Sequence, residues 1–100
     1  MKPQITVMEL PVPTGGTPGL WTATGVRDVY NQIGHVATSP DLLRCPAVTV
    51  IAEQRRDGSL GAIDIDVDAR AGLSVAQARE LAALLLAGAQ VAEQWTAVQL

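Results

Sequence analysis

Two runs of alternating side chains, AVTVIAEQ (47–54) and LGAIDIDVD (60–68), flank the polar stretch RRDGS. Alternation at period two marks a half-buried strand. Two such runs joined through Asp57-Gly58 predict a β-hairpin, because Asp-Gly supplies the positive φ angles of a type I′ turn. With those two residues as the loop, Val48 faces Val67, Val50 faces Ile65 and Ala52 faces Ile63, all on one side of the ribbon. Thr49, Ile51 and Glu53 fall on the other side, beside Asp66, Asp64 and Ala62. A slip of one residue would send each of these side chains to the wrong face, so the pattern specifies register as well as topology.

The second strand carries a carboxylate at every other position, Asp64, Asp66 and Asp68. On a straight strand these groups project from one face about 6.5–7 Å apart. A hard cation gathers six to eight oxygens close around itself, usually from a tight loop. The facing positions Ile51, Thr49 and Ala47 add at most one hydroxyl. General acid–base work by a pair of these groups would need a dry pocket to raise one pKa, which a solvated sheet face does not supply. The row reads as the wet side of the hairpin, with charge discouraging edge-to-edge association.

After Ala71-Gly72 the period changes to that of a helix, from about Val75 to Trp95. Ser74 is placed to cap it, and Gln77 three residues on completes a capping box. Leu81, Leu84, Leu85, Gly88, Ala92 and Trp95 share one face at helical spacing and are suited to cover the hairpin's valines and isoleucines. Gly88 at the centre allows close approach of helix and sheet. Opposite this stripe lie Val75, Ala82, Leu86 and Ala89, with Leu86 about 140° from Leu81 around the axis. A solvated back face ordinarily carries more charge than this. Small residues around one leucine make a helix–helix interface plausible, with a second copy or with another protein.

The N-terminal half is less regular. QITVMEL (4–10) reads as a strand, and LWTAT (20–24) can be a second. Between them three prolines and three glycines predict a flexible loop over 12–19. Residues 25–40 satisfy two patterns. Val26, Val29, Tyr30 and Ile33 have helical spacing, whereas the β-branched content favours extended chain, and both alternatives stand. The architecture expected is α+β, a small antiparallel sheet of three or four strands packed against one long C-terminal helix.

The chain's 100 residues suit a single domain, 1–100. With no Phe, one Tyr and two Trp, its core must be aliphatic. The net charge is −3, and the only basic doublet, Arg55-Arg56, is followed at once by Asp57. Nucleic-acid binders concentrate basic side chains on one face, so nucleic acid is an unlikely partner. A small nucleic-acid-associated regulator remains the alternative, and it requires Arg27, Arg44, Arg55 and Arg56 to come together as a stripe. One cysteine, Cys45, cannot form an internal disulfide, which fits the cytoplasm. Met1-Lys2-Pro3 leads into a mixed strand pattern rather than an apolar signal segment. The longest apolar run, Leu81 to Ala89, falls well short of the about 20 residues a membrane span needs.

Catalytic signals are weak. His35 is the only histidine, near Thr38 and Ser39 but with no third partner in sight. Cys45 beside Arg44 reads as an idle or buried thiol. Gly15, Gly16 and Gly19 precede a strand rather than a helix and so do not form a phosphate cradle. No enzyme, metal or cofactor is expected. A divalent-metal site or small enzyme built on Asp64, Asp66, Asp68 and His35 is the second alternative.

The helix opening Leu73-Ser74-Val75-Ala76-Gln77-Ala78-Arg79-Glu80-Leu81-Ala82, continued by Leu84-Leu85-Leu86-Ala87, resembles an uncharacterised group of short actinobacterial and actinobacteriophage proteins. In that group two strands lead into a helix beginning L[ST]xxxARxLAxxL. The resemblance covers residues 47–95, about half the chain. His35 ahead of the hairpin is shared, but Asn31 to Gly34 stand where members of the group often carry cysteines. The resemblance implies a strand–strand–helix fold and a source, and it carries over no known activity. The reading of the whole chain is a non-catalytic protein–protein interaction module, homodimeric or bound to another protein, using Val75, Ala82, Leu86 and Ala89 together with Trp21 by the Pro/Gly loop. For a phage-borne chain that other protein would belong to the host.

Overall fold

A computed structural model of the chain describes residues 10–98. Its elements are β1 (Thr17–Pro18), β2 (Val26–His35), a 3₁₀ turn (Leu42–Arg44), β3 (Ala47–Arg55), β4 (Leu60–Asp68) and α1 (Val75–Ala97). The strands form one antiparallel sheet in the order β1-β2-β3-β4, and α1 packs across one face of it. This is the α+β arrangement expected from the sequence. The strand expected over 4–10 lies, apart from Leu10, outside the described residues.

The ambiguous segment is extended. β2 alternates so that Arg27 and Val29 are buried against the helix side while Asp28 and Tyr30 point away. Pairing along β3, from Val26 opposite Arg55 to His35 opposite Ala47, satisfies backbone groups that the ends of an isolated two-turn helix would leave unpaired. Between Gln32 and Gly34 the register shifts by one residue. The bulge brings Gly34 beneath Leu84, where a Cβ would lie 2.8 Å from Leu84 Cδ2.

Residues 20–24 are not a strand, contrary to expectation. Thr22 accepts a hydrogen bond from Gly25 and donates its own amide to Val26, while Gly25 takes φ +83°. These contacts make a tight turn into β2. The pairing falls earlier, inside the Pro/Gly segment, where Thr17 and Pro18 lie opposite Tyr30 and Val29.

The hairpin has the expected register with a different turn. Gly58 N–H donates to Arg55 O at 2.9 Å, and Arg55 N–H donates to Ser59 O at 2.9 Å. Among the described residues no non-glycine has positive φ, whereas Gly58 has φ +90°. The loop is therefore three residues, Arg56-Asp57-Gly58, ending in a left-handed glycine, and not a type I′ pair. Such a loop moves the register by one, so Gln54 stands opposite Leu60. A bulge then sets Gly61 and Ala62 against Glu53 and returns Ala52 to Ile63, Val50 to Ile65 and Val48 to Val67. Two irregularities cancel.

The capping box at Ser74 and Gln77 is formed, with Gln77 N–H donating to Ser74 Oγ at 3.1 Å and Ser74 N–H to Gln77 Oε1 at 2.9 Å. Along α1, Leu84 sits over Gly34, Gly88 over Val48, Ile65 and Ile33, and Trp95 beside Gly16. The helix thus runs from the His35 end of β2 toward the hairpin turn. Val29, Val50, Ala52, Leu60 and Trp95 form the core, joined by Val12, Ile33, Ile63, Val91 and Ala92. Trp95 Nε1 donates to Thr14 O at 3.0 Å, which ties the Pro/Gly segment to the last turns of the helix.

Candidate functional site

The outward side of α1 carries little charge for an exposed surface. Of its 23 residues only Arg79, Glu80 and Glu93 are charged. With about 100° per residue, Leu86 points almost directly away from the buried pair Gly88 and Trp95. Leu86 is 69 % exposed and Val75 73 %. Ala82 is also exposed, while Ala89 is half-buried toward the flank. Val75, Arg79, Ala82, Leu86 and Glu93 therefore line one strip. Sequence reading had found its apolar members and passed over Arg79 and Glu93, although their places seven residues before and after Leu86 were legible.

Trp21 does not belong to this strip. It is half-buried beside the hairpin loop, with the guanidinium of Arg27 4.5 Å and that of Arg56 4.7 Å from its ring. Arg27 is itself only 5 % exposed; it donates to Gln54 Oε1 at 2.8 Å and to Leu10 O at 2.9 Å. The cluster locks the 20–25 turn onto the end of the sheet.

The four arginines expected as a basic stripe do not form one exposed row. Arg27 is buried under Trp21, and Arg56 lies over the same ring. Arg55 donates to Ser59 Oγ at 3.1 Å and Leu60 O at 3.3 Å. Arg44 sits in the β2–β3 connection, 3.7 Å from Asp41.

Among the described residues no helix or strand covers the sheet face away from α1, and Leu42 and Leu43 border it beside Gln32, His35, Ala47 and Thr49. Register places Tyr30, Ile51 and Asp64 in one row, Gln32, Thr49 and Asp66 in the next, and His35, Ala47 and Asp68 in a third. Asp28 and Glu53 pair on the same face, so the surface is acidic, with Arg55 at one end. Asp68 Oδ1 lies 3.3 Å from Arg70 Nε in an exposed pair. Among the described residues no group of three His, Cys, Asp or Glu side chains could hold a metal ion. His35 is exposed. Cys45 is buried, its thiol directed at the carbonyls of Ser39 (3.3 Å) and Asp41 (3.6 Å). Among the described residues no helix is long and apolar enough to cross a membrane.

Asp57 sits in the hairpin loop with its carboxylate bonded by Ser59. Ser59 donates both its hydroxyl, at 2.6 Å, and its amide, at 2.9 Å, to Asp57 Oδ1. These bonds hold the carboxyl below its ordinary 3.8. The arrangement clamps the turn.

No family model, no curated protein and no solved structure matches the chain.

Proposed function

We propose that the chain is a non-catalytic protein–protein interaction module acting in the cytoplasm as a homodimer, with the outer face of α1 as its contact surface. The observation that carries this reading is Leu86, 69 % exposed on an outward helix strip where the nearest charges, Arg79 and Glu93, stand seven residues to either side of it. Burying a leucine is worth about 1.5–3 kcal/mol, and the small neighbours Ala82 and Ala83 let a second helix come close. Small side chains at a helix contact favour packing near the short end of the about 8–10 Å interaxial range. The resemblance to actinobacteriophage proteins supports a host protein as a further partner of the dimer.

The nucleic-acid alternative is disfavoured by the sheet face away from α1, where Asp28, Glu53, Asp64, Asp66 and Asp68 would meet the phosphates that small sheet-based RNA binders must neutralise.

The reading is tested on a sizing column with the wild-type chain and Leu86→Glu at equal concentration, helix content being checked by circular dichroism. The wild type is expected to elute as a dimer and the folded variant as a monomer. Identical elution of the two would overturn the assignment of this face.

A further inference from the structure

Resting on that reading, we infer that the second copy docks antiparallel, with Leu86 on the two-fold axis and Arg79 of each copy opposite the partner's Glu93. The strip runs Arg79, Leu86, Glu93 at intervals of seven residues, close to two helical turns, so the three lie almost in line. Arg79 and Glu93 are both exposed, and the two ion pairs found among the described residues involve neither of them. They stand equally far on either side of Leu86, about 10 Å along the axis at 1.5 Å per residue.

An isologous pair must present the same surface twice. Antiparallel docking about Leu86 brings Arg79 to the partner's Glu93 at both ends, and Ala82 and Ala83 to the partner's Gln90 and Ala89. Parallel docking would instead set arginine against arginine and carboxylate against carboxylate. The charges therefore choose one orientation of the two.

The test uses the full chain carrying Arg79→Glu, Glu93→Arg, or both, with dimerisation followed by sedimentation velocity at low ionic strength. Each single reversal sets like charges together at both ends, and about a tenfold loss of affinity is expected for two exposed pairs. The double reversal recreates both pairs and is expected to dimerise like the wild type. Mixing the two single variants is the sharpest arm: opposite charges then meet at both ends only in the mixed dimer, so the mixture is expected to dimerise like the wild type and about tenfold more tightly than either variant alone. A dimer indifferent to both reversals, yet split by Leu86→Glu, would overturn this register and leave the contact face standing. A wild type that is monomeric at every concentration would overturn the face and the register together.

Discussion

Arg27 Nε donates to Gln54 Oε1 at 2.8 Å between two side chains that are 5 % and 1 % exposed. A buried guanidinium normally calls for a carboxylate, and among the described residues none pairs with Arg27. A neutral amide, one backbone carbonyl and the face of Trp21 hold it instead. Gln54 is saturated in turn, donating to Pro11 O at 3.0 Å and Gly58 O at 3.3 Å. This one amide joins β2, the N-terminal segment and the hairpin loop.

Gln54→Leu should therefore cost about 2–4 kcal/mol, because it strands a buried charged donor along with two carbonyls. Urea unfolding of wild type and variant measures the difference, and a loss below about 1 kcal/mol would show that water replaces the amide.

Trp95→Phe keeps most of the ring in the core and removes the 3.0 Å bond to Thr14 O. The expected loss is about 1–2 kcal/mol. Hydrogen exchange at Gly16, whose N–H is bonded to Pro13 O, should quicken more than exchange at the centre of β3. Uniform quickening would mean that the indole bond does not hold this segment selectively.

Gly58→Ala tests the turn. A Cβ there meets no atom within 4 Å, so any cost comes from holding φ at +90°. About 1–2 kcal/mol is expected, with Gly58→Asn losing less because Asn tolerates left-handed backbone. Equal tolerance of both substitutions would contradict the three-residue loop.

The Asp57–Ser59 bonds tie stability to acid pH. Because the folded carboxyl titrates below its ordinary 3.8, the stabilisation is fully present above that value and is lost as pH falls through the lower folded pKa. Thermal unfolding of Asp57→Asn should be flatter than wild type in the region below pH 3.8 and parallel to it near neutrality. Parallel curves throughout would rule out the linkage.

Some of this was legible in the residues. The alternation through 47–54 and 60–68 specified which side chains face one another, because only one register sets Val48, Val50 and Ala52 against Val67, Ile65 and Ile63 on the same side. The turn was misread for a related reason: a three-residue loop followed by a bulge at Gly61-Ala62 ends in the same register as a two-residue loop, and alternation cannot separate them. Val26, Val29, Tyr30 and Ile33 satisfied both periods, and only pairing with β3 decides between them. LWTAT looked like a strand from its β-favouring residues, but Gly25 closes a turn on Thr22. The burial of Arg27 had no local signal, since its acceptors arrive from 27 and 17 residues away. Leu86 was visible from helical spacing, and the significance of Arg79 and Glu93 follows once both are set on the strip that Leu86 centres.

The homodimer is the claim on which the functional account turns, and the mass of the wild-type chain in solution, followed by light scattering through a dilution series, tests it most directly. The account predicts about 21 kDa at high concentration, twice the chain mass of 10.5 kDa, falling toward 10.5 kDa on dilution. A constant 10.5 kDa across the series would contradict it and leave Leu86 a surface without a second copy.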